Sequence, residues 1–252
     1  MPLILDPDFG PCATVVNPGG RAGICLVCEH ASAEIPSRLE DLGLSAHDRY
    51  SHAVWDLGAE ALARRMSAIL DAPLVVSRVS RLVYDCNRPP KAPDCIPART
   101  ERIEVPGNAM LSAEDRAARV AQVYEPFHDI VATTLDGFAV SPAFVTVHSF
   151  TPQWHGEPRA TEIGLLHDAD PELARAMQAA ALVEPSVTLN EPYDASDGVT
   201  HTLKRHANGR GLLNVMIEVR NDLLSDDAGV ERIAATLTSM LAAALSKGAD
   251  AA

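Results

Sequence analysis

Two histidines, a carboxylate and a few arginines stand where apolar runs of this sequence end. His30 closes "GICLVCEH", His148 closes "FVTVH", Glu218 follows "NVMI" with Arg220 two residues on, and Asp85, Asn87 and Arg88 follow "RLVY". Imidazole nitrogens hold zinc and similar divalent ions, and a nearby carboxylate takes a proton from water. A guanidinium grips an anion through paired N–H groups. The set suits metal-assisted hydrolysis of a substrate that carries a carboxylate. Taken singly, each residue has a plainer reading. His148 could be a hydrogen-bonded strand-end histidine, Glu218 a salt-bridge partner of Arg220, and Arg81 and Arg88 surface cations or partners of Asp85. The case for Glu218 is the strongest of these, because burial beside an apolar strand raises a carboxyl pKa toward a useful value.

The elements that must position these groups alternate. A strand is expected over residues 22–28. A helix is expected from Ser45, where Ser45 and Asp48 have capping-box spacing, through Leu70. On that helix His52 would share a face with Asp56, four residues away. Two short strand-like runs follow in "PLVVSRVSRLVYDCNRPP", so that Arg81 and Arg88 flank "LVYDC"; residues 89–110, with no periodicity, read as an ordered loop. Residues 112–135 read as helix, 143–147 and 162–167 as strands, and 170–182 as helix. A strand ending near Glu218 precedes an amphipathic helix over 227–245. Strands alternating with helices predict an α/β fold, a three-layer α/β/α sandwich with a mostly parallel mixed sheet, in a single domain over residues 1–252. Side chains beyond the carboxyl ends of such strands face the ligand crevice.

The bulk numbers narrow the partners. A chain of 252 residues can bury one sizeable core, and a formal charge of -13 argues against nucleic acid or an anionic membrane. An anionic substrate would need a local cluster of arginines. No 18-residue apolar stretch is present and the first residues lack a signal-peptide pattern, so the cytoplasm is the expected compartment. Five cysteines cannot all pair within the chain. Cys25 and Cys28 lie three apart on one strand and so point to opposite faces, which predicts buried thiols rather than a metal grip. No G-x-G-x-x-G follows a predicted strand, which removes a dinucleotide-binding reading.

Eight segments in order, "VCEHASAEIP", "HAVWDLGAEALA", "SRLVYDCNRPP", "EVPGN", "VHSFTP", "NEPYDASDG", "KRHANGRGL" and "IEVRNDLL", resemble the N-formylglutamate amidohydrolase family over about residues 24–225. That family is in turn similar to zinc carboxypeptidases and aspartoacylases. The resemblance implies a zinc-carboxypeptidase-like fold and a divalent metal, zinc first among candidates, held by His30 and His148. It implies Asn87 and Arg88 on the substrate carboxylate, with Arg81 a further candidate. Glu218 is the implied general base, and Arg88 orients the substrate for the reaction. A site-facing role follows for Arg205 and His206. Where the carboxypeptidase pattern has a ligand glutamate, this chain has Ala33, with Glu34 one residue on. The third ligand is then Asp56, which fits the family pattern, or Glu34. The expected reaction is cleavage of N-formylglutamate to formate and glutamate. Another N-acyl amino acid deacylase or a carboxypeptidase-like amidase is the nearest rival, and a metal-free binding protein is a rival of another class. The oligomeric state is left open.

Overall fold

The computed structural model describes residues 1–101 and 103–249. Strands β1 (Ala13–Val16) and β2 (Ile24–Cys28) precede helix α1 (Ala59–Leu70) and strand β3 (Leu74–Ser77). A small hairpin of β4 (Arg99–Thr100) and β5 (Ile103–Glu104) leads to α2 (Ala113–Arg119), α3 (Glu125–Asp136) and the long β6 (Ala143–Phe150). A second small hairpin, β7 (Gln153–Trp154) and β8 (Glu157–Pro158), comes before β9 (Ile163–Leu166), α4 (Glu172–Ala179) and β10 (Val187–Leu189). Then come α5 (His201–His206), β11 (Asn214–Arg220) and α6 (Asp227–Ala249). Seven strands form one sheet in the order β1-β3-β2-β6-β11-β9-β10, antiparallel only at β1–β3 and β11–β9. This is the mixed, mostly parallel sheet of an α/β sandwich.

Alternation along the strands builds the layers. Cys25 and Val27 of β2 enter the apolar layer under α2, α3 and α5, while Ile24, Leu26 and Cys28 enter the layer under α1, α4 and α6. The two cysteines therefore do point apart, and all five cysteines are buried and free. Helix α6 is long and apolar enough over Asp227–Ser246 to cross a membrane by length and composition. Its Ile233, Leu237 and Leu241 are instead buried in the same layer as residues of α1 and α4.

Local chemistry overrode several expectations. The Ser45–Asp48 hydrogen bond forms, with Ser45 Oγ accepting from the Asp48 amide at 3.1 Å, but only a short 3-10 turn at Asp48–Tyr50 follows, with His47 at its start. The helix starts later, after Gly58, whose φ of +79° is left-handed and whose place a Cβ would bring within 2.6 Å of Leu224 Cβ. The run "LVYDC" is a turn rather than a strand. Ser80 Oγ accepts from the Leu82 amide at 3.1 Å and donates to the Val54 carbonyl at 2.7 Å, which curls the chain. Arg81 and Asp85 thereby come together as an i, i+4 ion pair instead of bracketing a strand. Within 112–135 the helix widens into a π-turn at Val120–Tyr124. Strands β1 and β10 were not expected; both are short edge strands.

Candidate active site

Three central strands bring the reactive groups together. β6 and β11 run parallel with His148 and Glu218 as Cα partners, and Phe144, Thr146 and His148 share one face by the period of two. Neighbouring strands lie about 4.8 Å apart, so the two side chains stand side by side. His30 follows β2 by two residues. Asp56 lies in the turn before Gly58, where its amide donates to the His30 carbonyl at 3.0 Å. Next to it, Ser149 Oγ donates to the Leu57 carbonyl at 2.7 Å. The backbone of the Asp56 turn is thus fastened both to β2's end and to β6.

His30 Nδ1, His148 Nδ1 and Asp56 Oδ2 form a triangle with edges of 3.2, 2.9 and 3.2 Å. Donors about 2.0–2.1 Å from one tetrahedral ion lie about 3.3 Å apart, so this triangle is one face of such a coordination shell. The far nitrogen of each ring meets a buried carboxylate. His30 Nε2 is 2.7 Å from Asp85 Oδ1, and His148 Nε2 is 3.0 Å from Glu29 Oε2, the latter an ion-pair contact without the angle of a directed hydrogen bond. With the His30 Nε2–H bonded to Asp85, the His30 Nδ1 lone pair is left for a shared cation, and His148 Nδ1 faces the same centre 3.2 Å away. The donor set fits a divalent metal. Arg81 ties the frame together: Nη1 donates to Asp56 Oδ1 and Nη2 to Asp85 Oδ2, each at 3.0 Å.

Charge follows geometry. Burial alone would raise Asp56 and Asp85, but the His30 charge, ring hydrogen bonds and the Arg81 guanidinium outweigh it and hold both far below the usual carboxylate range. Glu218 has no such direct donor. Burial pushes its carboxyl up to about 7, and its Oε2 has no hydrogen-bond partner.

A cavity of about 890 Å³ opens over this centre, lined among others by His30, Asp56, Arg81, His148 and Glu218. The other expected residues divide. Arg88 reaches the cavity, with Nε on Asp94 at 2.6 Å and Nη1 on the carbonyls of Asn87 and Gly198. Asn87 also lines the cavity, yet both ends of its amide are engaged by backbone: Nδ2 donates to the Val199 carbonyl and Oδ1 accepts from the Thr202 amide at 3.0 Å. These bonds tie Asn87 to the chain near 199–202 and leave its second Nδ2 hydrogen over. Arg81, expected on substrate, has its two terminal nitrogens on Asp56 and Asp85. Arg205 and His206 are outside the cavity lining. Arg205 lies over the Tyr124 ring, and buried His206 pairs with His128 at 2.7 Å because α5 turns it toward α3. Glu34 is exposed, so among the described residues the triad of buried donors is completed by Asp56. His52 lines the cavity in a turn and meets Glu101 at 3.0 Å, not Asp56.

Sequence reasoning missed Glu29 as the partner of His148, although its place beside His30 after β2 was visible. It also missed Arg159 and Tyr193, which line the cavity from the β7–β8 hairpin and from the segment after β10. Tyr193 lies inside "NEPYDASDG", and Arg159 carries no periodic or motif signal.

Comparison with known proteins bears on the family and the fold. The pattern of the N-formylglutamate amidohydrolase family matches residues 22–225. No curated protein matches the chain. The chain is similar to the crystal structure of gene product Atu2144 from Agrobacterium tumefaciens, at 46% identity and a TM-score of 0.94, covering 97% of this chain and 98% of that one. It shares the fold of N-formylglutamate amidohydrolase from Ralstonia eutropha JMP134, at 18% identity and a TM-score of 0.69, covering 92% of this chain and 97% of that one. With more than half its length matched by the family pattern, the chain belongs to the N-formylglutamate amidohydrolase family and is a hydrolase of amide bonds.

Proposed function

We propose that this protein is a metal-dependent amidohydrolase that cleaves N-formylglutamate into formate and glutamate. One observation carries the reading: the 2.9–3.2 Å donor triangle of His30, Asp56 and His148, with Glu218 beside His148 on the next strand. These three residues would hold a divalent ion, zinc being the natural choice for two imidazoles and one carboxylate. When bound, such an ion supplies Lewis acidity, lowering the pKa of water and polarising the amide carbonyl.

The chain's own groups do the rest. Glu218, raised to about 7 by burial, accepts a proton from the attacking water and returns it to the departing amine nitrogen, so that water adds across the C–N bond. Asp85 and Glu29 fix the ring orientation of His30 and His148. Arg81 holds Asp56 and Asp85 in place, and Arg88, which lines the same cavity, orients a substrate carboxylate. Five buried, reduced cysteines support a reducing compartment such as the cytoplasm.

A second reading keeps the chemistry and enlarges the acyl group. The cavity's volume and its apolar walls at Phe150, Trp154 and Met216 favour it. Purified protein reconstituted with zinc should release formate and free glutamate from N-formylglutamate. Acetate release from N-acetylglutamate at a higher kcat/KM, with little formate formed, would transfer the assignment to the second reading.

A further inference from the structure

Three arginines line the cavity, and they differ in what balances their charge. Arg81 meets Asp56 and Asp85, and Arg88 meets Asp94. Arg159 has no carboxylate within ion-pair distance among the described residues, in a chain of net charge -13. It is nonetheless firmly held. Its guanidinium lies 4.9 Å from the Tyr193 ring centre, 5.0 Å from Trp154 and 5.4 Å from Phe150. Its Nη1 donates to Tyr193 Oη at 3.0 Å and to the Thr151 carbonyl at 3.4 Å. Three rings pack around the guanidinium, and Nη1 is engaged. The Nε–Nη2 edge has no protein acceptor among the described residues, and that edge is the geometry a carboxylate accepts bidentately.

Tyr193 adds to this receptor. Its oxygen accepts from Arg159, which leaves its own O–H free to donate. Burial and the neighbouring Glu218 charge both push the phenol pKa up, so the O–H stays protonated at neutral pH. Tyr193, Arg159 and Glu218 line the same cavity.

We propose that Arg159, framed by Phe150, Trp154 and Tyr193, is the specificity-determining residue that receives the side-chain carboxylate of the substrate and selects acidic N-acyl amino acids over neutral ones. This rests on the amidohydrolase reading above and assigns the residue that sets its preference for an acidic side chain. Arg88 serves the other carboxylate, common to every N-acyl amino acid.

The test compares N-formylglutamate with N-formylglutamine, which has the same shape and no side-chain charge. R159M should lower kcat/KM for N-formylglutamate about 100-fold, mainly through KM, and leave N-formylglutamine within about threefold. R159K should keep part of the preference, because it retains charge and loses the planar fork. Equal losses on both substrates, or no loss on either, would overturn the assignment. Glutarate binding followed by calorimetry reads the same contact without turnover. Wild-type protein should bind it about 100-fold more tightly than R159M, and equal affinities would remove Arg159 from carboxylate recognition. If glutarate discriminates while no formate is released, the receptor stands and the deformylase reading fails.

Discussion

His148 and Glu218 are Cα partners across the parallel β6–β11 pair, on the same face of the sheet. A one-residue slip of either strand would turn its polar group into the opposite apolar layer, so the burial of Val147 and Ile217 enforces the pairing. The spacing between His148 and Glu218 is thus set by strand pairing rather than by a loop.

Glu218→Gln keeps the shape of the side chain and removes its basicity. Turnover should fall by roughly 10²- to 10⁴-fold with metal content by elemental analysis unchanged. Turnover within a few-fold of wild type would show that another group takes the proton.

Asp85→Asn leaves His30 in place but weakens the hold on its Nε2 and on Arg81. Metal affinity measured by chelator competition should drop about 10- to 100-fold, with circular dichroism unaltered. Wild-type affinity in this variant would mean that the ring needs no such anchor.

Gly58→Ala tests the turn that carries Asp56. A side chain there is strained by the left-handed φ of +79° and collides with Leu224. Stability by urea unfolding should fall by roughly 1–3 kcal/mol. Metal affinity should decline with it, because Asp56 shifts. An unaffected midpoint would show that the loop relaxes freely.

Acid should loosen the α3–α5 contact. Burial and neighbouring positive charge lower His128 to about 2 and His206 to about 4, from 6.5. Both stay neutral in the fold below pH 6.5 while the unfolded chain takes up protons. Stability therefore falls as pH drops from about 6.5 toward 4, by up to about 1.4 kcal/mol per pH unit for each ring. Denaturant midpoints between pH 7 and 5 should fall more steeply for wild type than for a His128→Gln, His206→Gln double variant. The comparison cancels His30 and His148, whose shifts run the other way. Parallel slopes would mean that this pair does not set acid sensitivity.

The central strands were legible because fully buried parallel strands read as continuous apolar runs, and the polar residues interrupting them stood out. His30, His148 and Glu218 were visible for that reason. Asp56 was visible only through family likeness. Its own stretch has helical capping chemistry, and the left-handed turn at Gly58 that diverts it answers to Leu224, more than 160 residues away. "LVYDC" has strand composition, but the Ser80 hydroxyl competes for its backbone. The role of Arg159 depends on three rings gathered from separate segments, and no local pattern encodes that.

The β7–β8 hairpin bearing Trp154 and leading into Arg159 is exposed and pairs with no strand of the main sheet. On the proposed roles, the bond-breaking groups and the side-chain receptor therefore belong to parts of the chain with unequal tolerance to change. Rewriting residues 153–159 could retarget the enzyme to a new amino acid while leaving its reaction, and the strands that perform it, intact.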